Sequence, residues 1–159
     1  MAFQHIPEIK GVKVFEFLRS IYDAKNESQT SFIQFKKIIE PLIQELQIDK
    51  EFLRRDLNVG FSGGERRKIE ILQLKLLQPK YIFLDEVDSG LDVDAFRQVA
   101  TMLQGLSTKD NALIIITHYF TILDYIPVDH VYLMQKGEII KEGTAKLAQE
   151  VKANGFKNI

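Results

Sequence analysis

The chain contains no cysteine. That excludes disulfides, and it excludes iron–sulfur or zinc binding through the chain's own thiolates. It also fits a reducing compartment. An excess of charge of one sign is lacking as well: 21 basic and 22 acidic residues leave a formal net charge of -1. Nothing here forms the broad basic footprint of a nucleic-acid binder. No apolar run approaches the ~20 residues a membrane-spanning helix needs. The opening Met-Ala-Phe-Gln-His-Ile-Pro-Glu has neither a charged nor an apolar leader region, so no signal peptide is expected. Internal repeats and low-complexity stretches are absent too. What remains is 159 residues, 45% hydrophobic and 27% charged. This suits one soluble globular domain, or one domain with a small subdomain, and is long enough to bury a sizeable core.

To about Lys80 the pattern is mostly helical. Val14, Phe15, Phe17, Leu18 and Ile21 share helical spacing. Ser31 with Gln34 reads as a capping box opening a helix over Phe32 to Ile48, whose stripe is Phe35, Ile38, Ile39, Leu42, Ile43 and Leu46. Pro41 lies inside that stripe, and a kink or split is expected there. Asp49 to Leu57 reads as another short helix.

The character changes after Pro79. Tyr81 to Leu84 and Ala112 to Ile116 are continuous apolar runs, of the kind that form strands buried on both faces. Ala95, Val99, Met102, Leu103 and Leu106 between them have helical spacing. Strand, helix, strand makes a βαβ unit and therefore a parallel sheet. His130 to Gln135 and Glu138 to Glu142 flank Lys136-Gly137, a hairpin signal. Thr144 is expected to cap a last helix, with Leu147 and Val151 as its apolar positions.

Four short segments carry chemistry. Ser62 and Glu65 form a capping box, and the adjacent Gly63 and Gly64 leave backbone N–H groups free to approach an anion at a helix N-terminus. A simple cap also accounts for them. Asp85-Glu86 directly follows a buried strand, at the carboxyl end of a parallel sheet where ligands bind. Asp85 could hold a magnesium ion there, and Glu86 could orient or deprotonate an attacking water; the bland alternative is a solvated acidic loop. His118 follows the second strand in the same way, which makes it a better functional candidate than His5 or His130. Ser89-Gly90-Leu91-Asp92 is at least a turn whose Asp92 caps the next helix.

The order and spacing of these segments resemble the ABC ATPases. Phe61 to Glu65 looks like the ABC signature, Tyr81 to Glu86 like Walker B with its catalytic glutamate, Ser89 to Asp92 like the D-loop, and His118 like the switch histidine. Gln4 then falls at the Q-loop position. The resemblance covers the whole chain. Within the family, Phe61 and Glu65 stand where most transporters have Leu and Gln, and Val87-Asp88-Ser89-Gly90 stands for the usual Pro-Thr-Ser-Ala. These variants, with Ile116-Thr117-His118-Tyr119 and Ile122 to Pro127, resemble the SufC group of the SUF iron–sulfur assembly machinery.

The resemblance implies an α/β fold: an incomplete ABC ATPase (RecA-like P-loop NTPase) domain spanning 1–159. Residues 11–78 would be a helical subdomain carrying the signature, and 79–159 the C-terminal half of the RecA-like core. It implies ATP and Mg2+ as cofactors. Ser62, Gly63, Gly64 and Glu65 would act in trans on the nucleotide of a second subunit. Asp85 would hold magnesium, Glu86 and His118 would be catalytic, and Gln4 would reach magnesium or the attacking water. Ser89 and Asp92 would link two active sites in an ATP-dependent homodimer. The implied partners are SufB- and SufD-like scaffold proteins, with no nucleic acid and no direct membrane insertion, in the cytoplasm or a plastid stroma. A transporter ATP-binding subunit and a non-catalytic docking fragment are the alternatives.

One family motif is missing. No Gly-x-x-x-x-Gly-Lys-Ser/Thr occurs; the nearest glycine pair, Gly137 and Gly143, has the wrong spacing and no following Lys. In the family, Walker A would precede Met1. The expectation is weak ATP binding and no hydrolysis by this chain alone, with the rest supplied by a longer product or a separate chain.

Overall fold

The computed structural model describes residues 6–155, and Gln4 and His5 lie outside them. The chain divides into two units, Met1–Thr117 and His118–Ile159.

The first unit opens with strand β1 (Ile9–Lys13), followed directly by helix α1 (Val14–Asn26). Helix α2 (Phe32–Glu45) starts at the expected capping box: Ser31 accepts from the Gln34 backbone N–H, and the Gln34 side chain accepts from the Ser31 N–H at 2.8 Å. Pro41 neither splits nor ends α2, which runs through it. Its ring lies on the exposed side, where the Lys37 carbonyl that loses its helical donor can turn to water. The segment expected as a helix over Asp49 to Leu57 is instead a 3₁₀ turn, Lys50–Arg54, capped by Asp49, and then the two-residue strand β2 (Asp56–Leu57). β2 pairs antiparallel with β1. Asp56 fastens that pair, accepting from the Gly11 backbone N–H at 3.0 Å and from Lys13 Nζ at 2.7 Å.

Helix α3 (Gly63–Leu77) is the axle of this unit. It packs against α1, α2 and α4 (Val93–Gln104). Being surrounded, it buries Ile69, Ile71, Leu72, Leu74 and Leu76 around most of its circumference instead of along one stripe. Val14, Phe15 and Leu18 of α1 and Phe35, Ile39 and Ile43 of α2 complete the helical core. There Phe15 meets Phe35 edge-on at 5.2 Å between ring centroids.

Strands β3 (Tyr81–Asp85) and β4 (Ala112–Ile116) pair in parallel, Tyr81 with Ala112 through Asp85 with Ile116, and α4 is their crossover. Burial on both faces is not observed. Ile82 and Leu84 are buried, but Tyr81, Phe83, Ile114 and Ile116 are 70%, 43%, 37% and 50% exposed. The alternation of a strand puts these four on one side, and no described element covers it.

The second unit is a hairpin and a helix. β5 (Val131–Gln135) and β6 (Glu138–Gly143) pair antiparallel across Lys136-Gly137, both with positive φ (52° and 86°) as a tight two-residue hairpin turn requires. Helix α5 (Ala145–Asn154) sets Leu147 and Val151 against Leu133, with Phe120 and Val131 alongside. Thr144 stands at the cap of α5, but its side chain makes no capping bond; its backbone carbonyl takes the Leu147 N–H at 2.9 Å instead. A Cβ on Gly143 would lie 2.9 Å from Leu147 Cβ, so only glycine lets β6 pass this close to α5.

Candidate functional site

The loop before α3 is held from below by aromatic and cationic packing. Arg55 lies over the rings of Phe61 (4.5 Å) and Phe52 (5.2 Å), and those rings meet edge-on at 4.9 Å. Its guanidinium donates to the carbonyls of Val59 (3.2 Å) and Gly60 (3.1 Å). Asn58, buried with φ 62°, donates to the Pro7 carbonyl at 2.9 Å. Arg66 donates to the Phe61 carbonyl at 3.0 Å and pairs with Glu8. Sequence reading missed Arg55, Asn58 and Arg66 as supports. Their partners are side chains and carbonyls that no period or spacing connects.

The head of α3 then forms as expected. Ser62 Oγ accepts from the Glu65 N–H at 3.3 Å, and Glu65 accepts from the Ser62 N–H at 2.7 Å. Gly63 and Gly64 occupy the first turn, where backbone N–H groups have no intrahelical acceptor. The glycines also have a packing role. A Cβ on Gly64 would lie 3.1 Å from Ala95 Cβ, and one on Gly63 would lie 3.4 Å from Leu91 and 3.5 Å from the Gly90 carbonyl. Gly64 is thus set tightly against α4 at Ala95, and Gly63 lies at ordinary contact distance from Gly90 and Leu91.

Asp92 caps α4, its carboxylate accepting from the Ala95 N–H at 2.8 Å. A cleft of about 260 Å³ lies between the heads of α3 and α4, lined by Ser62, Gly64, Glu65, Lys68, Asp92 and Asp94, among others. Two helix N-termini and one ammonium group meet three carboxylates there.

Asp85 ends β3, half-buried, in register with Ile116. Glu86 follows in the left-handed region at φ 45°. Its N–H donates to the Ile116 carbonyl at 2.9 Å, and its carbonyl accepts from the Ser89 N–H at 3.0 Å. Asp88 is buried, and one of its oxygens accepts from the Thr117 hydroxyl. The first unit thus gathers Ser62, Gly63, Gly64, Glu65 and Asp92 at one helix-head junction, while Ser89 closes the turn on the Glu86 carbonyl. Asp85 and Glu86 lie at the carboxyl end of the parallel pair. His118 begins the second unit, exposed, its ring 4.1 Å from that of Tyr119.

The donor set constrains which cation could be held. Among the described residues no three His, Asp or Glu side chains converge as a metal cage. Asp85 by itself fits Mg2+, which takes one or two carboxylates and completes its shell with water and phosphate oxygens. The free N–H groups at the head of α3 fit an anion such as a phosphate.

No family model matches the chain. It is 44% identical over 160 residues to the "Probable ATP-dependent transporter ycf16" of Antithamnion sp., covering 98% of this chain and 64% of that protein. It is 45% identical to the Cyanophora paradoxa protein of the same name, covering 62% of it. It is 41% identical to the "Probable ATP-dependent transporter slr0075" of Synechocystis sp., again covering 62%. The chain thus spans less than two thirds of the length of these relatives. Among solved structures, a dimeric ATP-binding cassette in a post-hydrolysis state with ADP and Pi superposes with a TM-score of 0.74 at 16% identity, over 90% of this chain and 61% of that one. A second cassette, from an ABC transporter, superposes with a TM-score of 0.71 at 23% identity, over 96% and 64%. The chain therefore has the fold of the ABC-type ATP-binding cassettes, the RecA-like P-loop class, over roughly three fifths of a cassette's length.

Proposed function

We propose that the chain is the signature- and Walker B-bearing portion of a SufC-like ABC-type ATPase that drives iron–sulfur cluster assembly on SufB- and SufD-like scaffolds. The observation that carries the ATPase reading is the presence of three motifs in one unit, two of them in contact. The Ser62–Glu65 helix head lies against Gly90, Leu91 and Ala95 at Gly63 and Gly64, and Asp85 ends the parallel strand of that unit with Glu86 directly after it. The names of the relatives, probable ATP-dependent transporters, support nucleotide use. The SufC reading rests on the subfamily variants at Phe61, Glu65 and Val87 to Gly90, and the lack of cysteine agrees with clusters held by partners.

In this reading ATP supplies the phosphoryl group and Mg2+ neutralises its charge. Asp85 would hold the metal, with Gln4 beside it. Glu86 would orient the attacking water, and His118 would hold the γ-phosphate. Ser62, Gly63 and Gly64 would donate to a phosphate held by a second subunit, with Glu65 keeping Ser62 in place. Such residues position and stabilise charge, which is most of what phosphoryl transfer asks of a protein. Residues 11–78 would form the helical part carrying the signature, 79–159 the remainder of the core. No helix among the described residues is long and apolar enough to cross a membrane; a cytoplasmic or stromal site is part of the proposal.

The chain has no Gly-x-x-x-x-Gly-Lys-Ser/Thr, so the purified 159-residue protein is expected to show no ATP turnover in a radiolabelled assay; clear turnover would overturn that reading. A second reading, a transporter ATP-binding subunit, is favoured by the names of the relatives. Pull-down separates the two: retention by soluble SufB- and SufD-like proteins supports the first, and retention only by membrane permeases supports the second.

A further inference from the structure

We infer that Asp88 and Thr117 form a latch that holds Glu86 in its left-handed backbone conformation, which makes both of them positioning residues for the glutamate. This deepens the ATPase reading and rests on it for the role of Glu86. Glu86 has a side chain, yet it stands at φ 45°, a region that L-residues avoid and that persists only where the surroundings enforce it.

The enforcing bonds run between residues 86–89 and the end of β4. The Glu86 N–H reaches the Ile116 carbonyl at 2.9 Å, and the Ser89 N–H closes a turn on the Glu86 carbonyl at 3.0 Å. Next to them, the Thr117 hydroxyl donates to one Asp88 oxygen. Asp88 is only 6% exposed, and its other oxygen, Oδ1, has no hydrogen-bond partner among the described residues. Val87, between the two acidic residues, is 2% exposed and anchors the turn on the apolar side.

Among the described residues, the Thr117 hydroxyl is therefore the side-chain donor to this carboxyl group. Without it a buried carboxyl would have neither oxygen satisfied, which is costly enough to draw the group toward water. Residue 88 cannot move outward while the 86–89 turn stays bonded to Ile116. Loss of the hydroxyl should accordingly release Glu86 while leaving the helical core and the β3–β4 ladder in place.

The test is amide hydrogen exchange, residue by residue, on the 159-residue protein without nucleotide. Thr117→Val, nearly the same shape without the hydroxyl, should lower protection at Glu86 and Ser89 by ~10-fold relative to the β3–β4 ladder amides. Thr117→Ser keeps the hydroxyl and should restore it. Equal loss at loop and ladder would mean general destabilisation and would overturn the inference, as would unchanged protection or failure of Thr117→Ser to restore it. Should Thr117→Val not fold, Asp88→Asn carries the test. It keeps an acceptor for Thr117 and should keep Glu86 protected; selective loss there in a folded protein would contradict the latch. Exchange reads the backbone without any turnover, so this result and the ATPase reading can fail separately.

Discussion

Glu86, Asp88 and Arg55 show how much of the candidate site is decided one residue at a time. The capping boxes at Ser31 and Ser62 were legible because their signal is local, a hydroxyl three residues before an amide side chain or carboxylate. The Asp92 cap was legible for a similar reason. The bonds from Asn58 to Pro7 and from Thr117 to Asp88 were not. They join positions 51 and 29 residues apart, and nothing in the intervening sequence marks the pairing. Two predictions belong here. Ser62→Ala should cost about 1 kcal/mol of stability by removing the α3 cap, read as a lower urea midpoint at unchanged slope. Arg55→Ala should cost about 1–3 kcal/mol by releasing the Val59 and Gly60 carbonyls and the two rings, and Arg55→Lys should restore only part, because an ammonium group cannot stack and fork as a guanidinium does.

At the scale of elements, helices were read more faithfully than strands. Apolar stripes give α1, α2 and α4 directly, and the Ser62–Glu65 capping box marks the start of α3. β1 and β2 escaped notice because β2 has two residues and β1 is exposed throughout, so neither shows alternation. Asp56 holds this pair together, and its carboxyl is drawn below the ordinary value first by the Gly11 N–H and then by Lys13. Asp23 is lowered likewise, first by the Thr30 hydroxyl. A carboxylate with a depressed folded pKa contributes stability above its unfolded value of about 3.9 and loses it as pH falls through the folded value. The urea midpoint should therefore fall between about pH 6 and about pH 3, and Asp56→Asn with Asp23→Asn should flatten that fall. An unchanged acid dependence in the double variant would place the titration elsewhere.

For the whole molecule, the runs Tyr81 to Leu84 and Ala112 to Ile116 have the composition of strands covered on both sides, yet the described residues cover one. The reading failed on burial because an apolar run reports what a strand's surroundings would have to be, not which of them one chain provides. The fold class survived because strand, crossover helix and parallel strand are all within this chain. A contiguous apolar patch of this kind drives association. Light scattering of the purified protein should rise with concentration, and Phe83→Thr with Ile116→Thr should reduce it at unchanged helical content, since threonine suits a strand but not an apolar contact. Scattering that the double variant leaves unaltered would locate the sticky surface elsewhere.

The claim on which the rest depends is that Glu86 and its neighbours are half of an ATP-hydrolysing site. It is tested most directly by joining this chain to a Walker A-bearing segment of an ABC ATPase and measuring ATP turnover, with and without Glu86→Gln. Turnover in the joined protein, lowered about 100-fold or more by Glu86→Gln, is the result expected of a residue that orients or deprotonates water. A folded joined protein that turns over no ATP, or one that Glu86→Gln leaves equally active, would contradict it.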